Sequence, residues 1–137
     1  MPLLQLIYAS RPFGFDASML TAILIDARRC NARDGITGAL IVRDDLYLQL
    51  LEGPEAAVEA AYARILRDDR HIEVRRLTRR VIADGDRMFG AWAMRDDPAQ
   101  SWVWSRDEVH DGAPEKASEQ EVLEIFRKLA ALPAKAE

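Results

Sequence analysis

Residues 35–54, GITGALIVRDDLYLQLLEGP, contain the pattern that decides the fold of this chain. Two apolar runs, 36–42 and 46–51, flank the polar stretch Arg43-Asp44-Asp45, which predicts an antiparallel hairpin. Apolar residues fall on both faces of the second run, so we expect that strand to lie centrally in its sheet, covered on both sides. Gln49 is then a polar side chain in the middle of a buried strand.

The apolar periodicity on either side of this hairpin alternates between the strand period and the helix period. Before the hairpin, the sequence predicts a strand at 3–10 and then a helix that is capped by Asp16 or Ser18 and ended by Gly35. After the hairpin, it predicts a helix from Glu55 and strands at 72–82 and 88–94. A last helix is predicted at about 118–132, where it starts on the capping box Ser118-Glu119-Gln120-Glu121. This order predicts an α+β fold, a ferredoxin-like β-α-β-β-α-β-β sandwich with an additional C-terminal helix.

The composition limits the class of protein. The chain has 137 residues, enough for one domain, and its 49% hydrophobic content is too high for a disordered chain. Its net charge of −4 argues against a general nucleic-acid binder. No apolar run approaches the ~20 residues that span a bilayer, and the N-terminal residues do not resemble a signal peptide. We therefore expect a cytoplasmic domain that contacts neither membrane nor nucleic acid.

The cysteine and histidine content disfavours disulfide and metal chemistry. Cys30 is the only cysteine, so an intrachain disulfide and a Cys-rich zinc site are excluded. His71 and His110 lie far apart in the sequence, without the spacing of metal ligands. We expect no metal site.

Three polar residues are predicted to lie among apolar ones, namely Tyr8 on the first strand, Asn31 at the end of the first helix and Gln49. A buried polar group without a partner costs about 1–3 kcal/mol, so these side chains need partners. One interpretation is an internal hydrogen-bonded network that only fixes the packing. The other is a pocket in which they meet a polar ligand between apolar walls. The residues alone leave both interpretations open.

A basic region extends from Arg64 to Arg80 and contains seven arginines. A solvated helix end followed by an edge strand accounts for this pattern, because edge strands are often charged. A local patch for a phosphate or a partner is the alternative.

Five motifs occur in order between residues 6 and 94. They are Leu6-Ile7-Tyr8-Ala9-Ser10, Asn31-Ala32-Arg33-Asp34-Gly35-Ile36-Thr37-Gly38-Ala39-Leu40, Leu48-Gln49-Leu50-Leu51-Glu52-Gly53-Pro54, Arg67-Asp68-Asp69-Arg70-His71 and Arg87-Met88-Phe89-Gly90-Ala91-Trp92-Ala93-Met94. Together they resemble the motifs of a known family, the BLUF domains, which sense blue light with a flavin. The resemblance implies the ferredoxin-like fold with a flavin, usually FAD, between its two helices. FMN and riboflavin are alternative cofactors.

The resemblance also implies roles for individual residues. Tyr8 corresponds to the tyrosine that donates an electron and a proton to the excited flavin, and Gln49 to the glutamine between that tyrosine and the ring. Asn31 corresponds to the asparagine that hydrogen-bonds the carbonyl edge of the ring. The implied photoactive residues are Tyr8, Gln49, Trp92 and Met94, and the implied cofactor-binding residues are Tyr8, Ser10, Asn31, Gln49, Arg64 and Asp68.

By this resemblance, residues 1–95 are identified as the flavin-binding domain and 96–137 as a C-terminal extension. The leading hypothesis is a blue-light photoreceptor without enzymatic activity, which signals to a partner protein in trans and forms at least a dimer. One alternative is a flavoprotein enzyme on the same fold, disfavoured because no substrate acid/base pair or nicotinamide motif is found. The other is a cofactor-free ferredoxin-like interaction module, in which Tyr8, Asn31 and Gln49 only satisfy one another.

Overall fold

The computed structural model of the chain describes residues 2–12, 17–42, 47–67, 71–90, 92–96 and 106–131. Its elements are β1 (Leu3–Pro12), α1 (Ala17–Asp34), β2 (Thr37–Val42), β3 (Tyr47–Gly53), α2 (Glu55–Arg67), β4 (His71–Ile82), a 3-10 turn (Asp84–Asp86), β5 (Trp92–Asp96), α3 (Arg106–His110), α4 (Ala113–Lys116) and α5 (Glu119–Ala131). This order confirms the predicted ferredoxin-like α+β fold with an added C-terminal helix.

The strands form a five-stranded sheet in the order β4-β1-β3-β2-β5. The pairs β1–β3, β1–β4 and β2–β3 are antiparallel, whereas β5 runs parallel to β2. All seven residues of β3 are buried, as the double-sided apolar pattern predicts for a central strand. The arginine-rich β4 lies at an edge of this sheet, which agrees with its interpretation as a charged edge strand.

Each face of the sheet is covered by helices. On one face, Leu4, Leu6 and Leu51 pack with Val58 and Ala61 of α2. On the opposite face, α5 buries five apolar residues against the sheet, namely Val122, Leu123, Ile125, Phe126 and Leu129. The final helix is therefore a cap on the second face, and its apolar stripe is occupied by the sheet.

The predicted start of the final helix is confirmed by its capping contact. The Ser118 hydroxyl oxygen accepts a hydrogen bond from the Glu121 backbone N–H at 3.1 Å. This bond satisfies one of the first N–H groups of α5, which have no acceptor within the helix. Two short helices, α3 and α4, precede it in the chain.

The last strand differs from its prediction. The sequence predicts a strand over 88–94, but β5 begins at Trp92 and ends at Asp96. The reason is that the backbone N–H groups of Met88 and Phe89 donate to the side chain of Glu52 instead of to a neighbouring strand. Main-chain donors that are taken by a carboxylate cannot also form a β-ladder.

Some predictions fall outside the described residues. They concern the helix cap at Asp16 and the turn Arg43-Asp44-Asp45 of the hairpin. Among the described helices, none combines the length and the apolar character needed to cross a bilayer.

Gly38 allows the close approach of β2 to β3, and this generates a stability prediction. Its φ is +149°, and a Cβ built on it would lie 1.9 Å from the Leu50 carbonyl oxygen. We expect Gly38→Ala to lower the free energy of unfolding by about 3 kcal/mol or more, because backbone has to move to admit the methyl group. Urea denaturation measures the effect. Gly85→Ala is the matched control, since no atom lies within 4 Å of its added Cβ. Equal stabilities of the two variants would contradict the prediction.

Candidate functional site

A cavity of ≈290 Å³ lies between α1, α2 and the sheet. Its walls are largely apolar, and polar side chains converge on it from β1, β3 and both helices. It is lined by Tyr8, Ile23, Asp26, Ala27, Arg29, Cys30, Asn31, Leu40, Gln49, Leu51, Ala61, Arg64 and Ile65. Apolar walls with a few convergent polar groups are typical of small-molecule sites. The cavity therefore favours the pocket interpretation of the buried polar residues.

Gln49 links two other strands through its side-chain amide. Its Nε2 donates to the Tyr8 hydroxyl at 2.5 Å, and its Oε1 accepts from the Trp92 indole Nε1 at 2.8 Å. An indole N–H is only a donor, so it has to face the amide oxygen. This contact determines the orientation of the amide and directs its NH₂ group toward Tyr8.

The sheet register explains why these three residues meet. Tyr8 and Gln49 are direct cross-strand partners in the β1–β3 pair. Trp92 pairs with Gly38 on β2, which lies between β5 and β3. The indole therefore crosses β2 to reach Gln49. Adjacent strands are about 4.8 Å apart, so only a long side chain can make this contact across β2.

Asn31 brings a second amide to the cavity from the last turn of α1. The residue is 4% exposed, and its backbone carbonyl accepts a hydrogen bond from the Ile36 N–H at 2.9 Å. Its side-chain amide lines the cavity without a hydrogen-bond partner among the described residues. It therefore offers a donor and an acceptor to whatever occupies the cavity.

Charged residues lie along the helical rim of the cavity. Arg64 lines the cavity and forms an ion pair with Asp34 at 3.6 Å. The hydrogen-bonded guanidinium of Arg33, with Arg64 in support, holds the pKa of the Asp34 carboxyl below its ordinary value. Arg29 also lines the cavity and lies 3.5 Å from the Asp26 carboxylate. The rim is therefore polar and carries cationic groups, in contrast to the apolar walls.

Tyr62 on α2 was not singled out from the sequence and packs against the photoactive candidate Tyr8. Their ring centroids are 5.8 Å apart, and the rings are nearly perpendicular. Burial raises the pKa of the Tyr62 phenol above its ordinary value, while Arg76 acts in the opposite direction. The phenol therefore stays neutral at physiological pH.

The remaining sequence candidates are placed as follows. Ser10 is buried two residues along β1 from Tyr8, outside the cavity lining formed by the described residues. Met94 lies on β5 opposite Leu40 of β2, and its side chain is outside the described set. Asp68, Trp102 and Trp104 also lie outside the described residues. Of the eight implied site residues, Tyr8, Asn31, Gln49, Arg64 and Trp92 are thus brought together in and around one cavity.

Glu52 is the residue that the sequence analysis missed. It is fully buried on β3, and its carboxylate accepts hydrogen bonds from Met88 N–H at 2.9 Å and Phe89 N–H at 2.8 Å. The run predicted as this strand, 46–51, ends one residue before Glu52, whereas β3 extends to Gly53 and buries the carboxylate. A buried carboxylate requires partners. Those partners come from a distant segment, which no local pattern could identify.

A family model described as "BLUF: Sensors of blue-light using FAD" matches residues 3–95. The chain belongs to the BLUF family. This confirms the resemblance drawn from the five motifs, and with it membership of a family of blue-light sensors that use a flavin.

The proteins that the chain matches differ in length. The chain is 47% identical over 55 residues to the photoactivated adenylate cyclase subunit beta of Euglena gracilis, which covers 40% of this chain and 6% of that protein. The structure of BlrB, a BLUF protein in its dark state, superposes with a TM-score of 0.70 at 30% identity over 94% of this chain and 96% of that one. A bacterial light-regulated adenylyl cyclase gives a TM-score of 0.66 at 29% identity over 90% of this chain and 36% of that one. The chain thus spans only a small part of the cyclases that it matches.

Proposed function

We propose that this BLUF domain is a photoreceptor that holds a flavin in the cavity between α1 and α2 and responds to light through Tyr8, Gln49 and Trp92. The observation that carries the proposal is the single Gln49 amide, which lies on the cavity wall and joins the Tyr8 hydroxyl to the Trp92 indole. One rotation of this amide changes the hydrogen bonds of two other strands at once.

The residues of the cavity fit a flavin. A flavin ring has flat apolar faces and one edge of carbonyl and nitrogen groups. Ile23, Leu40 and Ile65 supply apolar walls, while the amides of Asn31 and Gln49 supply donors and acceptors. These two amides would hold the polar edge of the ring. The cationic groups of Arg29 and Arg64 on the lining favour a phosphorylated flavin, so we propose FAD, with FMN and riboflavin as alternatives.

When bound, the flavin supplies the absorption of blue light and an acceptor for an electron. We propose that Tyr8 donates this electron and its phenolic proton, because its hydroxyl lies on the cavity beside Gln49. Transfer from Tyr8 changes the charge and the hydrogen-bonding character of its hydroxyl. The amide of Gln49 would then rearrange, because its preferred orientation depends on what the Tyr8 oxygen donates and accepts. Return of the electron and the proton to Tyr8 after this rearrangement would restore the starting oxidation states of the tyrosine and the flavin.

Rearrangement of Gln49 has a direct consequence for Trp92. If the amide rotates by half a turn, its NH₂ group faces the indole N–H, and two donors oppose each other. A buried donor that loses its acceptor costs about 1–3 kcal/mol, so Trp92 is displaced from this position. Met94, two residues along β5, is proposed as the residue that exchanges with Trp92 beside Gln49. A neutral hydrogen bond contributes about 0.5–1.5 kcal/mol net, so the two arrangements can interconvert thermally after illumination.

The output of the domain is proposed to leave through β5 toward a partner protein. β5 lies at an edge of the sheet, opposite to β4, so a displacement of Trp92 reaches the surface without crossing the core. We propose that this cytoplasmic chain has no enzymatic activity of its own and acts as a homo-oligomer, at least a dimer. The matched proteins named photoactivated adenylate cyclase and light-regulated adenylyl cyclase support an effector of enzymatic type.

The proposed function is tested by the absorption spectrum of the purified protein, reconstituted with FAD where needed, in the dark and then under blue light. We expect a flavin spectrum that shifts reversibly to the red, because rearranged Gln49 presents a new donor to the polar edge of the ring. A spectrum that only bleaches would overturn the proposal in favour of a flavoprotein redox enzyme. Failure to bind FAD would overturn it in favour of a cofactor-free interaction module.

Replacement of Tyr8 tests the assigned donor. We expect Tyr8→Phe to bind flavin and to lose the reversible red shift, because the hydroxyl that supplies the electron and proton is gone. The spectrum under blue light measures this. Tyr62→Phe is the matched control, since it removes the hydroxyl of a neighbouring tyrosine and keeps the ring that packs edge-on against Tyr8. A normal red shift in Tyr8→Phe would remove Tyr8 from the mechanism.

Replacement of Gln49 tests the assigned switch. Gln49→Leu keeps the approximate volume but removes both hydrogen bonds of the amide, so we expect bound flavin without a red shift. The free energy of unfolding should fall by about 1–3 kcal/mol, because the Tyr8 and Trp92 groups lose this partner. Gln5→Leu is the control, since Gln5 is an equally buried glutamine that bonds to Glu52 and lies outside the cavity lining. An intact shift in Gln49→Leu would contradict the assignment.

A further inference from the structure

We infer that Glu52 is a positioning residue, whose carboxylate anchors the segment Arg87–Phe89 and thereby places Trp92 against Gln49. The inference rests on the proposed function only where it concerns the response of the protein to light. In all other respects it concerns contacts of this chain alone. Glu52 lies three residues after Gln49 on β3.

The anchor consists of two charge-assisted hydrogen bonds to consecutive backbone N–H groups. Met88 N–H donates to Oε1 at 2.9 Å, and Phe89 N–H donates to Oε2 at 2.8 Å. Each carboxylate oxygen therefore holds one amide, and Glu52 itself is 0% exposed. Bonds to an ionised acceptor are about twice as strong as neutral ones, so this segment is held firmly.

A second set of contacts joins the same segment to the sheet. The Arg87 guanidinium donates to the Glu52 backbone carbonyl at 3.1 Å, to the Gly35 carbonyl at 3.2 Å and to the Thr37 hydroxyl at 2.8 Å. Glu52 thus holds the segment through its side chain and its main chain. Arg87 is linked to the carboxylate as well, because the Thr37 hydroxyl that accepts from Arg87 donates to Glu52 Oε2 at 3.5 Å. Arg87 is therefore a second member of the same anchor and can be replaced without changing Glu52.

The connection from the anchored segment to Trp92 is short, so the anchor also restricts where Trp92 can lie. Phe89 and Trp92 are three residues apart, and three residues span at most about 10 Å. With Phe89 fixed, the indole has a limited range of positions, one of which meets Gln49 Oε1 at 2.8 Å. β3 therefore holds this part of the chain at two points, through Glu52 on one face of the sheet and through Gln49 on the other.

Glu52→Gln removes the anchor with almost no change in shape. A glutamine side chain has one acceptor oxygen, and its NH₂ group would face one of the two backbone N–H groups. Two opposed donors separate, so the segment moves away from β3. Arg87→Met weakens the same segment while the carboxylate remains in place.

The test is ¹⁵N NMR of the protein in the dark, with the indole N–H signal of Trp92 assigned by its loss in Trp92→Phe. In Glu52→Gln we expect this signal to move and its protection from hydrogen exchange to fall by up to about tenfold, the loss of a neutral hydrogen bond. Gln5→Leu is the matched control. It removes the 3.2 Å bond from Gln5 to the same carboxylate and leaves both backbone amides bound, so the Trp92 signal should stay.

The outcomes separate this inference from the proposed function. An unchanged Trp92 signal in Glu52→Gln, or an equal change in Gln5→Leu, overturns the positioning role. If Glu52→Gln does not fold, Arg87→Met decides, since a change in the same direction supports the role and an unchanged signal overturns it. The indole measurement needs neither flavin nor light, whereas the proposed function fails on the spectrum of the wild-type protein. If the positioning role and the proposed function are both correct, the Glu52→Gln protein should bind flavin at the wild-type ratio, and its red-shifted form should have a different lifetime.

Discussion

The amide of Gln49 is the constraint on which the rest of this site depends. It lies on the central strand of the sheet, where β3 is buried along its whole length, so neither end of the amide can be left to water. The two ends are satisfied by different strands, β1 through Tyr8 and β5 through Trp92. Because the indole can only donate, the amide has to turn its oxygen toward Trp92 and its NH₂ group toward Tyr8 in this arrangement.

The same central strand satisfies a second buried polar group on its other face. Glu52 lies on the side of the sheet that α5 covers, and it takes up the main-chain donors of the segment before β5. Gln49 and Glu52, three residues apart in one motif, therefore both act on the chain segment that contains Trp92. One residue contacts the indole of Trp92, and the other holds the chain that leads to it. Both residues lie on a strand that is paired on its two sides, so the positions of the two contacts are fixed relative to each other.

The elements and the paired strands could be predicted, whereas the start of β5 could not. Strands such as β3 and helices such as α5 follow from apolar periodicity, which is local, and Ser118 marks the start of α5 by a contact three residues away. Residues 88–94 also have the alternation of a strand, so the pattern predicts one there. The pattern does not contain the competing acceptor, since Glu52 lies 36 residues away from Met88. Tertiary competition for backbone donors shortened the strand at its start.

The sequence by itself determined the fold class, the central position of β3 and the presence of Tyr8, Asn31 and Gln49 among apolar neighbours. These follow from periodicity and residue chemistry, which act over a few positions. Only the tertiary structure decided that the Trp92 indole donates to Gln49 and that the Asn31 amide lines the cavity. It also decided that Glu52 holds the chain before β5. Gln49 and Trp92 are 43 residues apart, and their contact depends on β5 pairing in parallel with β2. Such pairings are selected by the packing of the whole sheet, because each buried donor and acceptor has to find a partner in the same three-dimensional arrangement.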